Sequence, residues 1–198
     1  SVERIARAAG RGGADLLDIA CDPELVKLAA EASGLPICVS AVDPELFPAA
    51  VAAGAAMVEI GNYDAFYPLG RVFDAEEVLA ITRRTRELLG DVVLSVTVPH
   101  VLPLDQQEQL AVDLVAAGAD LIYAEREGAI AAAREKGVLA FGNLLDQHGE
   151  SPDTVITGPV WSMTPVVDYV VSLASAGMVH AENLVDFSTL GRGGAALA

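Results

Sequence analysis

Brief, nearly continuous apolar runs recur along the chain: Leu16 to Ala20, Pro36 to Val42, Met57 to Ile60, Val92 to Val98, Leu121 to Ala124, Val138 to Gly142 and Thr154 to Gly158. Runs of this kind, without strict alternation, are expected of strands covered on both faces. Between them lie helical patterns at Asp22 to Ala32, Asp43 to Ala53, Asp74 to Leu89, Leu104 to Ala117 and Gly128 to Lys136, with a further one from about Thr164 to Ala176. Asp22-Pro23-Glu24 and Asp43-Pro44-Glu45 each place an aspartate at the N-cap, proline at the first helical position and an acid in the first turn. Gly34, Gly54, Gly90, Gly118 and Gly137 stand where the helices should stop.

A weak internal repeat joins these signals. Ala53-Gly54-Ala55-Ala56-Met57-Val58 matches Ala117-Gly118-Ala119-Asp120-Leu121-Ile122, and Gly12-Gly13-Ala14-Asp15-Leu16-Leu17 echoes both. Helix, glycine stop, buried strand is the unit of a parallel sheet. The expected fold is therefore α/β, one domain over residues 1–198 with a mostly parallel, TIM-barrel-like (βα) sheet that need not close fully. An open flavodoxin-like or periplasmic-binding-protein-like sheet is the alternative.

Composition narrows the function classes. The chain has 198 residues, 53% of them hydrophobic, and a formal net charge of −16. It is too apolar for disorder, and its acidic balance, spread along the chain with no basic stripe, argues against nucleic acid and against docking on an anionic membrane. No stretch reaches the roughly 18 apolar residues of a membrane span. Cys21 and Cys38 have no partners at metal-ligand spacing and read as reduced structural thiols. The start carries neither an initiator Met nor a signal segment, so it reads as trimmed and the protein as cytoplasmic. No cofactor or metal is expected. A small-molecule ligand is the one partner class left open, and oligomeric state is undetermined.

In either architecture chemistry belongs at the ends of the strands. The polar residues there are Asp18, Ser40, Glu59 with Asn62, Ser95 with Thr97 and His100, Glu125, and Asn143 with Asp146. Asp18 and Glu59 would suit a carboxylate pair for acid–base work or metal binding if they converge; the alternative is helix capping or pairing with arginine. His100, after Pro99, reads as a general base or ligand, or as a loop histidine bonded to backbone. His148 and His180 have no such context. An enzyme reading requires Asp18, Glu59, Ser95 and His100 to face one pocket. Gly10-Arg11-Gly12-Gly13 and Gly191-Arg192-Gly193-Gly194 lack the strand-to-helix context of phosphate loops and read as turns. Arg83, Arg84 and Arg86, sharing a helix with Glu76, Glu77 and Glu87, read as a solvated ion-pair face.

Three longer runs resemble a known family: Leu35-Pro36-Ile37-Cys38-Val39-Ser40-Ala41-Val42, Glu59-Ile60-Gly61-Asn62-Tyr63-Asp64-Ala65-Phe66-Tyr67 and Leu94-Ser95-Val96-Thr97-Val98-Pro99-His100. They are similar to the TIM-barrel family of the hypothetical chloroplast reading frame 23, of cyanobacteria and algal plastids, over roughly residues 2 to 122. The resemblance implies a (β/α)₈ barrel without an established activity, here lacking a counterpart to the family's first strand. From Tyr123 onward a different resemblance takes over. Glu135-Lys136-Gly137-Val138-Leu139-Ala140-Phe141-Gly142, Asp146-Gln147, Thr157-Gly158-Pro159-Val160-Trp161-Ser162-Met163-Thr164-Pro165 and Asp186-Phe187-Ser188 resemble the C-terminal part of basic membrane protein family solute-binding lipoproteins.

That second resemblance implies a nucleoside-like ligand held by Asp146, Phe141 and Trp161. It also implies a seam near residues 118–124, between a barrel-like segment at 1–122 and a solute-binding-like segment at 123–198. A join inside a strand suits an engineered chimera better than a natural fusion. The leading expectation is accordingly an engineered scaffold without evolved activity. A barrel enzyme acting on a small phosphorylated metabolite and a nucleoside-binding module are the alternatives.

Overall fold

The computed structural model describes residues 2–123, 127–178, 191 and 193–198. Glu125, His180, Asp186, Phe187, Ser188 and Arg192, singled out above, lie outside the described residues. Helices and strands alternate as α1 (Val2–Gly12), β1 (Leu17–Ala20), α2 (Pro23–Ser33), β2 (Ile37–Ala41), α3 (Phe47–Ala52), β3 (Met57–Ile60), α4 (Ala75–Leu89), β4 (Val93–Thr97), α5 (Leu104–Ala116), β5 (Leu121–Tyr123), α6 (Glu127–Lys136) and β6 (Leu139–Phe141). Then come β7 (Pro159–Trp161), α7 (Thr164–Ser175) and β8 (Ala195–Leu197).

β1 to β6 form one parallel sheet in consecutive order. That is the order of a barrel wall, whose crossover helices all return along one face. Among the described residues no hydrogen bonds close the sheet onto itself, as expected of a barrel-like sheet that need not close fully. The open-sheet alternative is set aside by this strand order.

The helix starts follow their local chemistry. Asp22 Oδ1 accepts from the amides of Glu24 at 2.9 Å and Leu25 at 3.0 Å. Asp43 Oδ1 caps at Glu45 N, 3.0 Å away, although that turn opens as a 3₁₀ segment, Pro44–Leu46, before α3. The expected glycine stops at Gly34, Gly54, Gly90, Gly118 and Gly137 all have positive φ, a conformation that costs glycine little.

Several expectations are corrected. α1 has no counterpart in the sequence reading, and Gly10 and Gly12, read as turn residues, sit in its last turn. A Cβ on Gly10 would stand 2.4 Å from the Ser33 carbonyl oxygen, so glycine here lets α1 and α2 approach closely. Thr154 to Gly158 is not a strand. Its backbone runs beside β6, with Ala140 N donating to Thr154 O and Ile156 N to Ala140 O, both at 2.9 Å, and Gly142 N to Thr157 O at 3.0 Å, but the segment forms only the single bridge of Ala140 with Val155. Arg86 does not join an exposed ion-pair face. Its guanidinium reaches the carbonyls of Gly118, Gly90 and Val92 and the Asp120 carboxylate, tying the end of α4 to the approach of β5. Arg84 does pair at the surface, with Glu45 and Glu87.

The strands are not apolar on both faces. Register and burial separate two sets of residues. Ile37, Val39, Val58, Ile60, Leu94, Val96, Ile122 and Ala140 are buried in the core shared with the helices. The alternating residues of the other face include Asp18, Ser40, Glu59, Ser95 and Thr97. This concave face meets solvent at its lower rim, where Val93 and Leu139 are exposed. No described helix is long and apolar enough to cross a membrane.

Candidate active site

The concave face ends in a cavity of about 330 Å³ at the C-terminal mouth of the strands. Asp18 from β1, Glu59 from β3, Thr97 from β4 and Tyr123 from β5 reach it from the strands, and Asn62, Asp64, His100 and Asn143 from the loops that follow. The residues meet because parallel pairing sets their heights: Ser40 stands opposite Glu59, Glu59 opposite Ser95, and Thr97 opposite Tyr123.

Below the cavity the hydrogen bonds form a chain. Ser40 Oγ lies 2.7 Å from Asp18 Oδ1 and 2.7 Å from Glu59 Oε2. Thr97 Oγ1 donates to the other glutamate oxygen, Oε1, at 2.7 Å. Gly61 leaves the room this needs, since a Cβ there would sit 3.1 Å from both Glu59 Cδ and Thr97 Oγ1. Asn62 is held with φ 63, a left-handed conformation uncommon outside glycine, immediately after the strand that carries Glu59.

Electrostatics favour protonation of this cluster. Asp18 belongs to the exposed edge strand, yet its carboxyl turns into the face, and its pKa is pushed up to about 6. Desolvation is the largest cause; the Ser40 hydrogen bond lowers the value, and the Glu59 charge raises it again. Burial pushes the Tyr63 phenol well above its ordinary range, with the Glu59 charge adding to it. Its hydroxyl donates to Thr97 O at 3.1 Å. Burial likewise pushes up both thiols, Cys21 to about 11 and Cys38 further, so they are poor nucleophiles and fit the structural role expected of them.

His100 stands on the opposite rim. Its Nδ1 lies 3.6 Å from Asp64 Oδ1, and its ring meets Tyr67 edge-on at 5.6 Å between centroids. The loop carrying it is pinned by Gln107, a buried residue of α5 whose amide donates to Leu102 O at 2.6 Å and His100 O at 3.3 Å.

Asp18, Glu59 and His100 thus line one cavity, whereas Ser95 is buried beside Glu59 and does not line it. The other expected trio does not gather in this cavity. Asp146 Oδ1 caps the backbone of His148 at 3.0 Å, Phe141 packs on Tyr123 at 6.3 Å between centroids, and Trp161, half exposed, lies on the separate β7–β8 pair. The sequence reading missed Tyr63, Asp64, Tyr123 and Gln107. Asp64 and Tyr63 stood within a quoted run, but only the 3₁₀ turn Tyr63–Ala65 aims them. Among the described residues no group of three or more His, Cys, Asp or Glu side chains is gathered to hold a metal ion.

Comparison with solved structures gives the same architecture. A phosphonopyruvate hydrolase in complex with oxalate and Mg++ superposes with TM-score 0.60 at 12% identity, covering 89% of this chain and 80% of that one. QR15, an aldolase, gives TM-score 0.58 at 17% identity, covering 88% and 90%. An aldolase/citrate lyase family protein from Burkholderia cenocepacia J2315 gives 0.54 at 15% identity, covering 90% and 91%. At these identities the likeness is one of fold.

Among sequence relatives, the uncharacterized protein ycf23 of Cyanophora paradoxa is 47% identical over 125 residues, 63% of this chain and 51% of that protein. That of Pyropia yezoensis is 40% identical over 124 residues, 63% and 45%. The ycf23 protein of Antithamnion sp. is 33% identical over 167 residues, 83% of this chain and 59% of its own. The first two matches thus span about half the length of those relatives.

These findings overturn the engineered chimera. The Antithamnion match covers more of the chain than residues 1–122 contain, and a family model runs through the supposed seam near 118–124 without interruption. The structure agrees: β5 is paired in register on both sides, with Ile122 fully buried. The solute-binding resemblance from Tyr123 onward likewise finds no support, since the family model reaches as far as Asp146. Matched over residues 1–146 by the model of the family described as "Protein of unknown function (DUF561)", the chain belongs to that family.

Proposed function

We propose that the protein is a barrel enzyme acting on a small phosphorylated metabolite, with Asp18 and Glu59 as its acid–base pair. One observation carries the reading: two carboxyls, 2.7 Å from one shared hydroxyl, beneath a cavity at the C-terminal ends of parallel strands. The folds most like it that are named above include a phosphonopyruvate hydrolase and aldolases, which supports a small substrate of this class.

The chemistry follows from environment. Glu59 has hydroxyl partners at both oxygens, which orient it as the base. Asp18, with its pKa raised to about 6, retains a proton for part of the time near neutrality and suits the acid. His100, backed by Asp64, faces the substrate from the other rim. Asn62 and Asn143 offer amides to orient it. The phosphate would sit toward the mouth, because anionic oxygens beside Glu59 would meet like charge.

The test is a panel of phosphorylated keto and hydroxy acids and sugar phosphates, screened for saturable binding and for consumption. Asp18→Asn and Glu59→Gln should abolish turnover while leaving binding within a few-fold of wild type. Binding without turnover by the wild-type protein would defeat the reading.

A further inference from the structure

We propose that Ser40 is a proton relay that joins Asp18 and Glu59 into one acid–base unit. The inference rests on the acid–base reading above, but it concerns a residue that does not itself line the cavity.

A serine hydroxyl has one hydrogen to donate and two lone pairs with which to accept. Ser40 Oγ is 2.7 Å from each carboxyl, a normal O–H···O length for both contacts. Two ionised carboxylates would both require the hydroxyl's single hydrogen. Both contacts are hydrogen bonds only when one carboxyl brings a proton of its own. Ser40 is buried, so water does not readily resolve the conflict.

The surroundings decide where that proton rests. Glu59 has its second oxygen occupied as an acceptor by the Thr97 hydroxyl, whereas no second side-chain hydroxyl reaches Asp18 among the described residues. Asp18 is the desolvated partner, and the rise of its pKa agrees. Among the described residues the other titratable groups near the pair are Cys38 from β2, Tyr63 and Asp64 after β3, His100 after β4 and Tyr123 from β5. Burial favours the neutral forms of Cys38 and Tyr63, and Asp64 and His100 stand at the rim of the cavity.

The transfer balances. The Asp18 O–H bond breaks and its proton binds Ser40 Oγ, while the hydrogen of Ser40 passes to Glu59 Oε2. Two O–H bonds break, two form, and the negative charge moves from Glu59 to Asp18. A proton taken from a substrate by one carboxyl can therefore be returned through the other without bulk water. That suits substrates that lose a proton at one atom and gain one at a neighbouring atom.

The test is carboxyl ¹³C NMR of the whole chain across pH 3.5 to 8.5. In the wild type the Asp18 and Glu59 carbons should follow two separated steps, each step visible at both carbons. Ser40→Ala removes a hydrogen bond available only to the singly protonated pair, so the steps should draw together by about one pH unit. Ser40→Thr keeps the hydroxyl and should restore the separation. Independent titration of the two carbons in the wild type, or an unchanged separation in Ser40→Ala, would overturn the relay. Should the alanine variant fail to fold, the wild type still decides. Exchange of H₂O for D₂O at the singly protonated stage should shift both carboxyl carbons, and a shift confined to one would count against the proposal. None of these readouts requires turnover, so a failure of the enzymatic reading is seen separately.

Discussion

Replacing Asp18 with asparagine removes one titrating charge from the concave face while keeping the shape of the side chain and its capacity to accept from Ser40. The folded-state pKa of Asp18 is raised from 3.8 to about 6. A raised carboxyl pKa means that the folded state binds the proton more tightly than the unfolded chain does. The stabilising contribution is therefore fully present below about pH 3.8 and is lost as pH rises through about 6. Between pH 5 and pH 8 the unfolded chain hardly changes its occupancy, whereas the folded chain gives up nearly a whole proton. The full shift corresponds to about 1.4 kcal/mol over that interval. Asp18 is exposed as a residue, so solvent screening brings the expected effect to about 0.5–1 kcal/mol. Urea unfolding of wild type and Asp18→Asn at both pH values measures it, because titrating groups that do not interact with Asp18 cancel in the comparison, leaving Asp18 and its coupling to Glu59. The variant should gain stability relative to wild type at pH 8 and lose most of that advantage at pH 5. An equal difference at the two pH values, or a variant less stable at pH 8, would refute the placement of a desolvated carboxyl on this face.

Other outcomes follow from single contacts. Asp22→Ala removes the N-cap of α2 and should cost about 0.5–2 kcal/mol in chemical denaturation without preventing folding. Arg86→Met strands the carbonyls of Gly118 and Val92 and leaves Asp120 without its cation. It should cost about 1–3 kcal/mol in the same assay, far more than Arg83→Met on the same helix. Gly10→Ala drives a Cβ against the Ser33 carbonyl at 2.4 Å and should lower the thermal midpoint by forcing α1 away from α2, at about 1–3 kcal/mol. Gly12→Ala, with open space around its Cβ, is the control and should be close to neutral.

The alternation of strands and helices was legible because its punctuation is local. Aspartate–proline–glutamate starts and glycine stops act within a turn of their own position, and the structure uses Asp22, Asp43 and every expected stop. α1 was not legible: its arginines and glycines dilute the apolar positions, and its docking depends on a gap at Gly10 that only α2 defines. Arg86 was misread for a similar reason. Its partners lie more than thirty positions away along the chain at Gly118 and Asp120, where sequence spacing on one helix carries no information. At the site, the residue types at the strand ends could be read, including Asp18, Ser40, Glu59, Asn62, Thr97 and His100. Their convergence could not. It depends on register, since sliding β3 by one residue would turn Glu59 toward the helices and bring Val58 to the cavity. The apparent seam arose from reading local likeness in short runs, where a family match across residues 1–146 carries more weight.

The most direct test of the central claim is solvent deuterium incorporation, followed by ¹H NMR in D₂O. The substrates are a panel of phosphorylated keto acids, hydroxy acids and sugar phosphates. Proton transfer by the Asp18–Glu59 pair predicts that the wild-type protein exchanges a C–H next to a carbonyl in at least one of them. Glu59→Gln, folded and still binding, should leave that signal intact. A wild-type protein that exchanges no member of the panel, or a Glu59→Gln variant that exchanges as fast as wild type, would contradict the account.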